Sequence, residues 1–313
     1  MATDKPTIFF LLGPTASGKT KLAVKLVKRF PFEIISVDSA QIYYDMNIGV
    51  AKPSQDILEI APHHLINIIK PFETYSVAKF TKDTLKLINE ILLRKHIPLL
   101  VGGTMMYFNR LEKGINQMPA TDHEIRKNIE LEATQIGWLK LYERLKVVDP
   151  EIAQKINPND TQRISRALEV FYSSGKSLSS FHKSNIKSDF PFVINKIGLI
   201  PSNRKELHVR IESRVYEMID AGLIDEVISL RQRYPELKRT MPSMRSVGYR
   251  QIFDFLDGRI EKKECIDQII FATRQFAKRQ ITWMRGMENL KVFDCISDDK
   301  DHLIIEHVSL LLG

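Results

Sequence analysis

Cysteine is scarce in this sequence: Cys265 and Cys295 are the only 2 in 313 residues. Neither stands in a C-x-x-C pair. That excludes a disulfide framework and a thiolate zinc finger, and both cysteines read as small apolar residues for the interior. Long apolar runs are lacking too. None reaches the roughly 20 residues that cross a bilayer, so no membrane partner is expected. The opening MATDKPTIFF has no basic stretch followed by a long apolar one. No secretory signal is therefore expected, and a cytoplasmic location is. Internal repeats and low-complexity tracts are missing. With 43% hydrophobic and 27% charged residues, the chain reads as globular, either one large domain or two smaller ones.

Positive charge is what the sequence does have, unevenly spread. The formal net charge is +8. From Arg231 to Lys291 there are 14 Lys+Arg and 7 Asp+Glu, a balance of +7. From Gln162 to Lys187 there are 5 Lys+Arg against 1 acid, a balance of +4. Clustered cations suit a polyanionic partner, although a solvated basic face is the commoner cause of any single cluster.

TIFFLLG is a short apolar run ended by Gly13, the pattern of a buried parallel strand. KLAVKLVKRF reads as the next helix, FEIISVDSAQ as a second strand ending at Asp38, YSVAKFTKDTLKLINEILLRKH as a helix, and IPLLVGGT as a third strand. This alternation predicts an α/β fold with a parallel sheet flanked by helices. From about residue 117 the strands stop. Thr121 and Glu124 form a capping box, Asn159 or Asp160 caps a later helix, and Gly175 stops it. PFVINKIGLI resumes the sheet, so 117–190 reads as an all-helical insertion in a core of 1–116 and 191–313. A helical stretch broken at Gly222, a long basic helix over IDQIIFATRQFAKRQITWMR and a last strand at LKVFDC complete the reading.

GPTASGKT follows the first strand and opens the first helix. It matches G-x-x-x-x-G-K-[ST], the phosphate loop otherwise typical of ATP-binding and other nucleotide-binding proteins. Successive backbone N–H groups and the helix N-terminus converge there on an anion. Gly13 and Gly18 suit backbone that a Cβ would hinder. Lys19 would neutralise the outer phosphate, and the Thr20 hydroxyl would meet Mg²⁺.

Asp38 closes the second strand, and open α/β sheets bind ligands at the carboxyl ends of their strands. It is either a magnesium ligand acting through water, a general base for an acceptor, or a turn cap working through Ser39. Thr104 follows VGG at another strand end and either donates to a phosphate oxygen or stabilises its turn. Arg210 and Arg214 share one helix face; over a diphosphate they would absorb leaving-group charge, and the alternative is a solvated or Glu217-paired face. Arg274, Lys278 and Arg285 make a basic stripe that Trp283 faces away from, which assigns Trp283 to the core. Arg163 and Arg166 make a second basic face. Arg245 and Arg250 bracket Tyr249, a residue able to stack on a base.

Together, GPTASGKT, SVDSAQIY, GVAKP, VGGTMMY, DTQRISRALEV, MRSVGYRQ and AKRQITWMR closely resemble the bacterial tRNA dimethylallyltransferases, in family order from residue 13 to 285. DSAQ and SVGYRQ carry more of that resemblance than the generic loop does. The resemblance implies transfer of a dimethylallyl group from dimethylallyl diphosphate to the N6 amine of the adenosine 3′ of the tRNA anticodon. It implies that Gly13, Pro14, Thr15, Ala16, Ser17, Gly18, Lys19 and Thr20 hold the diphosphate, with Mg²⁺ at Thr20. It implies Asp38 as general base, Thr104 on the phosphate side, and the catalytic arginine at Arg210 or Arg214. Contacts to the tRNA anticodon stem-loop would come from Asp38, Ser39, Ala40, Gln41, Thr104 and Arg126; from Gln162, Arg163, Ile164, Ser165 and Arg166; and from Arg245, Ser246, Val247, Gly248, Tyr249 and Arg250. Lys278, Arg279, Gln280, Ile281, Thr282, Trp283, Met284 and Arg285 complete the set. The insertion corresponds to the family's anticodon-arm domain. Eukaryotic members append a zinc finger, for which this chain has neither the length nor the cysteines, so a bacterial-type enzyme, read as a monomer, is implied. SVDS departs from the commoner SADS beside Asp38. A kinase using ATP through the same loop is the alternative; no nucleoside-base pocket or acid site for its substrate is evident.

Overall fold

The computed structural model of this protein describes residues 5–114, 119, 122–183 and 190–313. The chain separates into two compact units, Met1–Glu112 with Phe190–Gly313 and Lys113–Asp189. The first unit begins with β1 (Thr7–Leu12), α1 (Lys19–Arg29), β2 (Phe32–Val37), α2 (Gln55–Ile60), β3 (His63–His64), α3 (Val77–Leu93), β4 (Ile97–Gly102) and α4 (Met105–Lys113). The second unit holds α5 (His123–Ile136), α6 (Trp138–Val148), α7 (Pro150–Ala153), α8 (Thr161–Ser174) and α9 (Leu178–Lys183). The first unit resumes with β5 (Val193–Ile200), α10 (Arg204–Asp220), α11 (Leu223–Arg233), α12 (Tyr249–Leu256), α13 (Lys262–Arg285), β6 (Leu290–Asp294) and α14 (Lys300–Leu312).

The strands form one parallel sheet in the order β3-β2-β4-β1-β5-β6. Its strands are near-continuous apolar runs because both faces are covered. Ile8, Phe10 and Leu12 of β1 enter one core, shared with Phe80 and Ile88 of α3 and Phe108 of α4. Phe9 and Leu11 enter the other, shared with Leu22 and Leu26 of α1 and Ile304 and Val308 of α14. Each such side chain contributes about 1.5–3 kcal/mol on burial, so the register of β1 is strongly specified. In that register Leu12 and Val37 both lie opposite Gly102. The residues that follow these three strand ends, Gly13, Asp38 and Gly103, therefore start from one level at one edge.

Local signals set the helix ends. Asp160, rather than Asn159, caps α8 through the Arg163 N–H, and Gly175 ends it at φ 69°. Gly222, at φ 93°, separates α10 from α11. Thr121, half of the expected capping box, lies outside the described residues. The cap of α5 is Asp122, whose carboxylate accepts from the N–H groups of Glu124 and Ile125. The two-residue β3 carries no periodic pattern, and the sequence reading missed it. The second unit has its own core, including Leu141, Leu145, Ile164 and Leu168. Among the described residues no helix is long and apolar enough to cross a membrane.

Candidate active site

The loop Gly13–Gly18 joins β1 to α1. Ala16 at φ 61° and Gly18 at φ 85° are left-handed, the alternation that turns successive N–H groups toward an anion. Gly18 is the N-cap of α1. Having no side chain to accept from the first turn, it leaves those donors for a ligand. A Cβ at Gly13 would stand 2.6 Å from Ser17 Oγ, which is why the turn closes there on glycine. Lys19 folds over the loop and donates from Nζ to the Pro14 carbonyl at 2.7 Å. Burial and the nearby Arg214 charge push its amine down to about 7, against the opposing pull of Asp38 and Cys295. A lysine so destabilised as a cation gains most from an arriving anion.

Asp38 leaves β2 with one oxygen already engaged: Oδ1 accepts from the N–H groups of Ala40 at 2.8 Å and Gln41 at 3.2 Å. The turn-capping and chemical readings of this residue are thus compatible, because a carboxylate has acceptor sites to spare. Thr104 Oγ1 accepts from the Ser39 N–H at 3.1 Å and donates to Ser39 Oγ at 3.4 Å, fastening the Asp38 turn to the end of β4. Gln41 turns inward and donates to the carbonyls of Val50 and Ala51.

The structure separates the two arginines of α10. Burial lowers Arg214, with Asp38 and Glu217 opposing, and Arg214 in turn acts on Lys19. Arg210 is exposed and donates to the Cys295 carbonyl at 3.0 Å. Arg214, Lys19 and Asp38 therefore form one electrostatic group, and Arg210 stands outside it. Among the described residues no group of three or more His, Cys, Asp or Glu could hold a metal ion. The Thr20 hydroxyl in the first turn of α1 suits a Mg²⁺ that completes its shell with phosphate oxygens and water.

Several expected RNA contacts are interior instead. On α13, Gln280, Ile281 and Met284 are buried, whereas Lys278, Arg279, Thr282 and Arg285 are exposed. Trp283 is corrected in the other direction: it is 48% exposed and not core, because Ala277, Ile281 and Met284 form the inward face and Trp283 lies off it. Arg274 is half-buried in an ion pair with Glu212 at 2.6 Å. Tyr249 is 0% exposed and donates to Glu226 Oε1 at 2.6 Å, so it offers no stacking surface. Gly248, buried at φ 96°, begins the turn that drives it inward. Val247 packs on the same core, Ser246 is half-buried, and Arg245 and Arg250 alone in that stretch are exposed.

Sequence reasoning missed Glu226, whose carboxylate also accepts from the N–H groups of Asn47, Ile48 and Gly49. Gln280 was misread. Its signal was available: an amide inside the apolar stripe Ala277, Ile281, Met284.

In the second unit Ile164 and Ser165 are buried, Gln162 and Arg163 are exposed, and Arg163 pairs with Asp160 at 3.3 Å. Arg126 and Arg166 both bind the fully buried Glu169, at 2.9 and 2.7 Å. Arg166 also donates to the Pro119 carbonyl. The expected basic face of Arg163 and Arg166 is therefore partly neutralised, and Arg126 with Arg166 makes a carboxylate-braced pair instead.

Comparison with known proteins gives one consistent result. A family model described as IPP transferase matches residues 41–287, and one described as isopentenyl transferase matches residues 6–67. The tRNA dimethylallyltransferase of Methylobacillus flagellatus is 48% identical over 299 residues, 96% of this chain and 95% of that protein. The one from Nitrosomonas eutropha is 46% identical over 303 residues, 97% and 95% respectively. Among solved structures, the tRNA isopentenylpyrophosphate transferase of Bacillus halodurans superposes with a TM-score of 0.71 at 36% identity, covering 98% of this chain and 97% of that one. A eukaryotic dimethylallyltransferase acting on tRNA gives 0.83 at 25% identity, with 98% and 79% covered.

Proposed function

This chain belongs to the IPP transferase family, that of the tRNA dimethylallyltransferases, and from that membership we propose the reaction it carries out. It transfers the dimethylallyl group of dimethylallyl diphosphate to the N6 amine of the adenosine 3′-adjacent to the tRNA anticodon. The bond from the allylic C1 to the diphosphate oxygen breaks, a bond from N6 to C1 forms, and the amine proton leaves to Asp38. Adenine's amine is a weak nucleophile because its lone pair is delocalised into the ring. Departure of diphosphate compensates by leaving an allylic carbon whose positive charge is shared.

The protein's part is then largely electrostatic. The loop N–H groups, Lys19 and Arg214 stabilise the departing diphosphate, and Thr104 holds the turn that presents Asp38. Mg²⁺ held by Thr20 would add charge on the same oxygens. The target base must leave its stack, which a loop nucleotide does at lower cost than a duplex one. Arg126 and Arg163 of the second unit, with Arg245, Arg250, Lys278 and Arg285 of the first, are assigned to the RNA backbone. The enzyme is proposed to act as a monomer in the cytoplasm.

The observation that carries the reading is that the phosphate loop and Asp38 leave neighbouring strand ends at one sheet edge, with Arg214 and Asp38 both acting on the Lys19 charge: an anion cradle beside a carboxylate. A kinase would need a nucleoside pocket as well, and the relatives named above are transferases of another kind. Purified protein incubated with unmodified tRNA and labelled dimethylallyl diphosphate should label the RNA, with the adduct found by nucleoside mass spectrometry. Phosphoryl transfer from labelled ATP, with no prenyl adduct, would overturn the assignment.

A further inference from the structure

Gln280 sits on the inward face of α13, 4% exposed, and both ends of its amide are used. Oε1 accepts from the Thr15 N–H at 3.0 Å. Nε2 donates to the Gly103 carbonyl at 2.8 Å. The partners decide the orientation: a backbone N–H needs an acceptor and a carbonyl needs a donor, so the opposite flip would lose both bonds. One side chain thus ties the phosphate loop after β1 to the residue after β4. The next residue, Thr104, holds the turn of Asp38 through the Ser39 N–H. The donor cradle and the acceptor-side turn share one fastener.

Packing alone does not call for glutamine here. Its neighbours on the same face, Ala277, Ile281 and Met284, are apolar and buried, and leucine or methionine would fill the same volume. A buried amide is costly unless both its ends are bonded. The two bonds to Thr15 and Gly103 offset that cost and leave the loop fixed. The surroundings are shaped to match: a Cβ on Gly103 would collide with Gln280 Nε2.

We propose that Gln280 is a positioning residue for the donor diphosphate, holding the first half of the phosphate loop where the remaining N–H groups can meet the anion, and that it is not an RNA contact. The inference rests on the reading of this chain as a dimethylallyl diphosphate-dependent transferase. It has a mechanical corollary. The helix that exposes Lys278 and Arg285 also grips the loop, so RNA on its outer side and donor in the cradle act on one rigid element.

Steady-state kinetics with each substrate varied in turn, together with donor-free tRNA binding across salt concentrations, test it. Gln280→Leu keeps the volume and removes both bonds. Gly103→Ala displaces the amide from the other side without altering α13. In both variants kcat/KM for dimethylallyl diphosphate should fall at least about tenfold, the consequence of a misplaced phosphate, while tRNA affinity and its salt slope stay at wild-type values. Lower tRNA affinity with an unchanged donor KM would make Gln280 an RNA contact and overturn the proposal, as would two variants that behave like wild type. Thermal unfolding reports whether each variant folds, and if Gln280→Leu does not, Gly103→Ala decides alone. A wild-type protein that transfers no dimethylallyl group would retire the functional reading instead.

Discussion

Asp38 and Lys19 carry opposite burdens at the residue scale. Asp38 caps its turn and is proposed as the base, so the informative substitution is Asp38→Asn, which keeps an acceptor for Ala40 and Gln41 and removes the base. kcat should fall by about 10²-fold or more, the size of a general-base loss, with tRNA affinity little changed; wild-type turnover would retire the assignment. Lys19 predicts a pH dependence. Its amine is held down to about 7 in the free protein, and a bound diphosphate favours the cation, raising that value. Binding then takes up a proton above the free value. The added affinity is fully present below about pH 7 and lost as pH rises, by up to about tenfold per unit. Calorimetric titration in buffers of different ionisation heat should show proton uptake at pH 8; its absence would mean that Lys19 stays charged throughout. The P-loop motif made Lys19 legible in the sequence, but its depressed amine depends on burial and then on Arg214, 195 positions further along the chain, and could not be read there.

At the element scale, α13 divides its work by face. Lys278→Ala and Arg285→Ala should weaken tRNA binding and flatten the salt slope by roughly 0.7–0.9 for each phosphate left without its cation. Met284→Ala, one residue from Arg285, should cost about 2–5 kcal/mol of stability as a large-to-small core change and leave that slope alone. Binding isotherms at several salt concentrations, paired with chemical denaturation, separate the two outcomes. A flattened slope in the Met284 variant would mean that Met284, and not only Arg285, faces the RNA side of the helix. The residues of such a stretch are consecutive in sequence but alternate between core and solvent, which is why an RNA-contact assignment made to the whole stretch overreached at Gln280, Ile281 and Met284. The same reasoning applies to Ile164 and Ser165 in α8.

At the scale of the whole molecule, the two units have separate cores. Glu169 is buried in the second unit with Arg126, Arg166 and the Asp122 N–H on its oxygens. Glu169→Ala would leave two guanidinium groups without their shared carboxylate, a loss smaller than the roughly 3–5 kcal/mol of a fully buried broken pair, because both arginines reach solvent, which screens their charge. Hydrogen exchange should show faster opening of α5 and α8, while β1, β4 and dimethylallyl diphosphate binding keep wild-type values. Equal loosening of both units would mean that they do not hold their cores independently. The net charge of +8 belongs to this scale too. It predicts that RNA association slows with ionic strength, although it does not say which cations meet phosphate.

By itself the sequence determined the elements that depend on near neighbours: apolar runs for the strands, the glycine-rich loop between β1 and α1, the Asp160 cap and the breaks at Gly175 and Gly222. It also determined the family, because those motifs recur in order along the chain. Tertiary structure alone decided what depends on distant partners. It set Arg214 rather than Arg210 beside Lys19 and Asp38, buried Tyr249 against Glu226, exposed Trp283, and turned Gln280 onto the phosphate loop. The physical reason is range. Periodicity and capping are settled within a turn or two of chain, whereas burial, charge coupling and hydrogen bonds between residues as far apart as Thr15 and Gln280 exist only once the sheet has brought its strand ends to one edge.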